Sequence, residues 1–212
     1  MHFMHSAPNL VLVGPMGAGK SSIGRRLARR FGLAFVDLDH EIELRTGATV
    51  AMIFDCEGEA GFRTRERAVL AAVLESERQL VATGGGAVLD ARNRARMRTR
   101  GFVVHMHADV ETQLARLARD RTRPLLAGGD RRTVLNQLAK ARAPLYAEAA
   151  HLRFDTGHHA CAEAAAHLGH LVQTHWQPPA PAASRTAAAA PPSIHDARSR
   201  RLLPCAFPGI PS

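Results

Sequence analysis

One eight-residue stretch limits what this chain can fold into more than any other. Gly14-Pro-Met-Gly-Ala-Gly-Lys-Ser21 has the spacing G-x-x-x-x-G-K-[ST] and follows directly on Asn9-Leu-Val-Leu-Val13, a short apolar run rich in β-formers. The glycines let the backbone approach a ligand more closely than a Cβ would allow. Successive N–H groups in such a loop form a nest for an anion, reinforced by the positive end of a helix beginning near Gly19. Lys20 is placed to reach the β- and γ-phosphates of a nucleoside triphosphate, and the Ser21 hydroxyl to ligate Mg2+. A strand before the loop and a helix after it make an incidental turn the weaker reading. The candidate nucleotide cradle is Gly17, Ala18, Gly19, Lys20, Ser21 and Ser22.

The rest of the apolar pattern agrees with a loop of that kind. Runs at 34–38, 79–82, 101–106 and 152–154 read as companion strands, and helical patterns at 20–30, 59–76, 110–119 and 131–148 fall between them. Short apolar strands separated by helices indicate an α/β fold, a parallel sheet covered on both faces.

Composition narrows the partners. Three cysteines (Cys56, Cys161, Cys205) are too few and odd in number for a disulfide framework, and no apolar run approaches the roughly 20 residues of a membrane span. The first residues lack the pattern of a secretory signal, so a soluble, cytoplasmic protein is expected. Lys and Arg number 28 against 19 Asp and Glu, a formal charge of +9. Such a charge draws polyanions, yet one Trp and one Tyr supply almost no stacking platform for single-stranded nucleic acid. Arginines serve phosphorylated or carboxylate substrates equally well. Arg92, Arg94, Arg96, Arg98 and Arg100 would spread around a helix and read as a solvated face. His105-Met-His107 and His158-His159-Ala-Cys161 lack zinc-site spacing. Residues 173–212 carry Pro178, Pro179, Pro181, Pro191, Pro192, Pro204, Pro208 and Pro211 and show no periodicity. The expected organisation is a flexible leader at 1–8, a catalytic domain at 9–172 and a disordered Ala/Pro-rich tail at 173–212.

Many phosphate-loop proteins anchor Mg2+ a second time through an acidic residue ending a later strand. Here the run Leu80-Val-Ala82 leads instead into Thr83-Gly-Gly-Gly86. The candidate carboxylates lie in Phe35-Val-Asp37-Leu-Asp39, where strand alternation would send Asp37 and Asp39 to the same side. One would hold a metal-bound water while the other faces a substrate hydroxyl. A helix cap at His40 is the competing reading.

Taken in order, these segments resemble the shikimate kinase family over roughly residues 9–172. The resemblance is carried by Gly14–Ser21, Phe35-Val-Asp-Leu-Asp-His-Glu-Ile-Glu43, Arg45-Thr-Gly-Ala-Thr, Ile53-Phe54 and Glu57-Gly-Glu-Ala-Gly-Phe-Arg63 with Glu66. Thr83-Gly-Gly-Gly86, Arg123-Pro-Leu-Leu126 and Arg142-Ala-Pro-Leu-Tyr146 complete it. It implies a three-layer sandwich around a five-stranded parallel sheet, with a mobile lid and a mobile substrate-binding segment. The implied activity is ATP-dependent phosphorylation of the 3-hydroxyl of shikimate, a step of chorismate and aromatic amino-acid biosynthesis. The implied partners are shikimate, ATP and Mg2+, with no nucleic acid or membrane, in a monomer.

The resemblance also assigns roles. Asp39 matches the carboxylate that orients the attacking hydroxyl, and Asp37 the one that supports Mg2+ beside Ser21. Arg63 and Arg142 match two arginines that grip the shikimate carboxylate, and Gly84, Gly85 and Gly86 the turn whose backbone meets the substrate. Arg123 matches a lid arginine closing over the phosphates, and Arg116 an arginine over the adenine ring. Two other readings stay open: a related kinase of another small acid such as gluconate, and a nucleotide-dependent regulator.

Overall fold

The strand Asn9–Val13 is buried at every residue, as a strand with helices on both of its faces must be. In the computed structural model, which describes residues 5–118, 130–157 and 159–178, the chain runs β1 (His5–Ser6), β2 (Asn9–Val13), α1 (Lys20–Phe31), β3 (Ala34–Asp37), α2 (Leu38–Thr46) and α3 (Val50–Val73). It continues through β4 (Gln79–Ala82), a 3-10 turn (Ala87–Leu89), α4 (Ala91–Arg100), β5 (Gly101–His107), α5 (Val110–Leu117) and α6 (Arg131–Ala149). It then forms β6 (Leu152–Asp155), α7 (Cys161–His175) and β7 (Trp176–Gln177). The segment around Arg123, expected to act as a lid, lies outside the described residues, as does the chain from residue 179 onward.

Five strands form one parallel sheet in the order β3-β4-β2-β5-β6. Alternation along the central strand divides the core. Leu10 and Leu12 pack with Leu27 of α1 and Leu168 of α7, whereas Val11 and Val13 face Leu70 of α3 and Met97 of α4. The chain leaves β2 toward one edge and later crosses to the other through β5, so the order of strand addition reverses at β2. In open α/β sheets the ligand crevice lies at the carboxyl ends of the strands beside such a switch. The glycine loop after β2, the Gly84–Gly86 turn after β4 and the β3–α2 junction all open there.

Several elements depart from the sequence reading. The strand at 34–38 ends one residue early, because Leu38 turns inward as the first residue of α2 and is fully buried. Asp37 and Asp39 are therefore not alternating strand neighbours: one ends the strand and the other lies in a helical first turn. The helix expected at 59–76 is the second limb of α3. Gly58, at φ 67° and ψ −175°, interrupts the helix and joins it to a first limb beginning at Val50.

The expected leader and domain end also differ. His5–Ser6 pairs in parallel with Trp176–Gln177, and α7 runs on to His175. The physical reason is Trp176, whose ring packs edge-on against Phe31 and whose buried Nε1 donates to Ala7 O at 3.0 Å. Proline-rich composition further along masked this anchor.

Candidate active site

The donor side is built from the β2–α1 loop. Gly14, at φ 144°, presses against β5; a Cβ there would lie 2.2 Å from Met106 O. Gly19, at φ 82°, is the N-cap of α1, so the positive end of the helix opens into the loop. Lys20 Nζ donates to Gly14 O and Pro15 O, both at 2.7 Å, which pins the ammonium across the loop mouth. Ala18 is fully buried, so it presents only its backbone to a ligand. Ser21 Oγ donates to Asp37 Oδ2 at 2.5 Å, which brings together the two residues expected to support a metal. Asp37 is the N-cap of α2 by position but makes no capping bond. The cap reading therefore gives way to the contact with Ser21.

A cleft of about 1050 Å³ runs from Gly17, Lys20 and Ser22 past Asp37 and Asp39 to Gly84. Its inner end continues into a smaller cavity of about 70 Å³, lined by Asp39, Arg63, Glu66, Arg142 and the Gly84–Gly86 turn. Every residue expected on the acceptor side meets in that cavity. They come from α2, α3, α6 and the turn after β4, separated by as many as 103 residues (Asp39 to Arg142) but all at the carboxyl edge of the sheet.

Two of the three glycines bring the turn close against side chains of the pocket. A Cβ on Gly84 would lie 2.8 Å from Asp39 Oδ1 and 3.0 Å from Glu66 Oε1, and one on Gly86 would lie 2.2 Å from Arg63 Nη2. Arg63 donates to Glu66 Oε2 at 2.7 Å, and twice to Glu59 Oε1, at 2.9 and 3.2 Å. Glu66 is 1% exposed, and its Oε1 accepts no hydrogen bond among the described residues. Burial pushes its carboxyl above the usual range, against the pull of the Arg63 guanidinium. Sequence alone gave Glu66 no role. Arg142, 6% exposed, reaches Gly85 from α6, where Tyr146 lies one turn further on.

Arg116, expected over the adenine, bridges two loops. Its guanidinium donates to Gly17 O at 3.0 Å, Thr156 Oγ1 at 3.0 Å and Thr156 O at 2.6 Å, tying the phosphate loop to the turn after β6. Sequence reading missed Thr156, which is fully buried and also donates to His107 O. Arg123, the remaining expected residue, lies outside the described residues. The α4 arginines act as staples: Arg94 and Arg96 pair with Glu148 and Glu75, and Arg98 and Arg100 donate to carbonyls of Glu148, Leu74 and Glu75.

A glycine loop at the switch point, a lysine across its mouth and an adjoining pocket of two arginines and two carboxylates define a phosphate-loop α/β kinase acting on a small acid. A family model described as shikimate kinase matches residues 16–173. Shikimate kinases of Xanthomonas oryzae pv. oryzae and Stenotrophomonas maltophilia are 55% and 56% identical over 174 residues, which is 82% of this chain and 97% of each relative. The chain belongs to the shikimate kinase family. The solved structure of the Acinetobacter baumannii shikimate kinase in complex with shikimate matches with a TM-score of 0.77 at 46% identity, over 79% of this chain and 94% of that one. The Bacteroides thetaiotaomicron shikimate kinase matches at 0.72 and 32% identity, over 78% and 98%.

Proposed function

We propose that the protein moves the γ-phosphoryl group of ATP to the 3-hydroxyl of shikimate, releasing ADP and shikimate 3-phosphate for chorismate and aromatic amino-acid biosynthesis. The observation that carries this reading is the meeting of Asp39, Arg63, Glu66, Arg142 and the glycine turn in one cavity that opens onto the phosphate loop.

The acceptor carries one carboxylate and several hydroxyls, and the cavity has a counterpart for each. Arg63 and Arg142 fork onto the carboxylate, where planar guanidiniums form paired charged bonds. Asp39 Oδ1 and Glu66 Oε1, both beside Gly84, offer carboxyl oxygens to hydroxyls. Asp39, the one that also lines the phosphate cleft, aims the 3-hydroxyl at the γ-phosphorus and can take up its proton. Phosphoryl transfer through a loose transition state depends mainly on such placement and on charge stabilisation.

On the donor side, the loop N–H groups of Gly17, Ala18 and Gly19 hold the phosphates, with the hydroxyls of Ser21 and Ser22 at the helix start. Lys20 follows the charge that moves toward the β-phosphate as the bond to it breaks. Arg123 closes over the phosphates, and Arg116 lies along the adenine. Ser21 and Asp37 fit Mg2+, being hard oxygens already in contact. When bound, Mg2+ neutralises charge on the phosphates. The protein works as a cytoplasmic monomer on these small molecules.

ADP release from ATP and Mg2+, followed with shikimate, with gluconate and with buffer, tests the reading. ADP should appear only with shikimate, matched by a singly phosphorylated product in the mass spectrum. ATP binding without acceptor-dependent ADP would remove shikimate as the substrate.

A further inference from the structure

The Gly84–Gly86 turn is held by its carbonyls. Gly84 O accepts from Ala87 N–H at 3.2 Å and Gly86 O from Leu89 N–H at 3.0 Å, both local bonds of the 3-10 turn. Gly85 O differs. It accepts from Tyr146 Oη at 2.6 Å, from a helix 61 residues further along the chain. A planar trans peptide points its C=O and the next N–H in opposite directions. Fixing Gly85 O therefore also fixes where the Gly86 N–H points, and Gly86 itself packs against the Arg63 guanidinium.

Tyr146 is in turn held from below. Its ring is 3% exposed and stacks on His105 of β5, with centroids 4.8 Å apart and planes at 21°. His105 pairs in register with Val13, the residue before the phosphate loop, and is itself 6% exposed. Burial holds the phenol un-ionised, its pKa pushed up to about 12, although the nearby Arg142 guanidinium opposes this. At neutral pH the hydroxyl therefore has a proton to donate. Burial likewise pushes the His105 imidazole down to about 4, with His107, Arg153 and Lys20 adding to the effect, so the ring under Tyr146 is neutral. A neutral ring in a stacked pair carries no charge toward Lys20.

We propose that Tyr146, buttressed by His105, is a positioning residue for the acceptor, setting the Gly85–Gly86 peptide that faces the shikimate pocket. Tyr146 lines neither the phosphate cleft nor the acceptor cavity and acts through the turn, while its hydroxyl also lies beside the Arg142 guanidinium. The inference rests on the acceptor assignment made above. α6 then serves the acceptor twice, by the direct grip of Arg142 and, one turn away, by the backbone that Tyr146 aims.

The test is steady-state kinetics of Tyr146→Phe, which keeps the ring stack and removes only the hydroxyl. The KM for shikimate should rise about fivefold, the loss of one well-placed hydrogen bond, with the KM for ATP unchanged and kcat within about twofold. His105→Ala, which removes the buttress, should raise the shikimate KM in the same direction, and His105→Phe, which restores a flat ring, should return it toward wild type. Thermal melts of each variant accompany the kinetics, and calorimetric titration of shikimate replaces them for any variant with low turnover. A shikimate KM or Kd unchanged in Tyr146→Phe would overturn the proposal. So would shikimate and ATP constants rising together, since that marks general loosening. Failure of wild type to phosphorylate shikimate is a different result and would remove the acceptor assignment itself.

Discussion

The two halves of the cleft are made of different material. In the proposed reading the heart of the donor side is backbone N–H groups, one ammonium and two hydroxyls, all within the nine consecutive residues Gly14–Ser22 after β2. The acceptor side gathers charged side chains from three helices around a glycine turn and holds them with ion pairs. Arg63 is fixed by Glu59 and Glu66 before any ligand arrives, and Glu66 is almost wholly buried. A backbone nest recognises phosphate by geometry that any residue sequence with those torsions supplies. A pocket for one particular hydroxy acid needs counter-charges at fixed places, and holding them apart costs burial and partners. The donor half thus reports the chemistry of the class, and the acceptor half the identity of the substrate.

The sharpest way to break that division is to remove the donor cation. Lys20→Ala should lower kcat by at least about a hundredfold, because it removes charge stabilisation in the transition state. Shikimate binding measured by calorimetry in the absence of nucleotide should stay at the wild-type value. A parallel loss of shikimate affinity would show that the halves are one electrostatic unit.

Arg142→Lys probes the other side. A lysine keeps the charge but cannot fork onto a carboxylate. The KM for shikimate should rise by about tenfold or more while the KM for ATP holds. An unchanged shikimate KM would take Arg142 out of the carboxylate grip.

Gly86→Ala asks how tightly the acceptor half is packed. Gly86 has φ −101° and ψ −1°, torsions open to alanine, so no backbone strain arises. The new methyl would meet Arg63 Nη2 at 2.2 Å, and only the end of that side chain can yield. The expected result is a shikimate KM raised about fivefold, with Tm within about 2 °C of wild type. A large fall in Tm with little change in KM would mean that the turn, and not Arg63, gives way.

The same contrast explains what could be read from sequence. β2 and β4 were legible to the residue because their apolar runs end in glycines, and the phosphate loop because its parts are contiguous. α2 was not: Leu38 and Ile42 are its only buried residues, too few to show a helical period among Asp39, His40, Glu41 and Glu43. Reading Asp39 as a strand residue followed from that gap. α7 escaped because its buried stripe is mainly alanine and glycine. On the acceptor side Arg63 and Arg142 had motif contexts, but no spacing rule says that α3 and α6 meet over the turn after β4. Glu66 lines the cavity while also holding Arg63, and Tyr146 reaches the turn only through Gly85 O; a partner's partner leaves no mark in a linear pattern.

Acid offers the gentlest test, since it should separate the acceptor half from the sheet edge. Burial pushes two histidines down to about 4: His105 under Tyr146, and His151, whose Nδ1 accepts the Val103 N–H at 2.9 Å beside β5. In the unfolded chain each titrates near the ordinary 6.5, so between these values the unfolded state binds more protons than the folded one. Stability from both groups is complete above about pH 6.5 and is lost as pH falls toward 4. Tm should drop by roughly 5 °C between pH 7.5 and pH 5. His151→Asn, which keeps an acceptor for Val103 but cannot charge, should remove about half of that slope and leave the shikimate KM alone. His105→Phe should remove the other half. A Tm that is flat or rises on acidification would mean that these rings are not held neutral in the fold. A slope abolished by His151→Asn alone would place the acid sensitivity at the sheet edge and free the acceptor half from it.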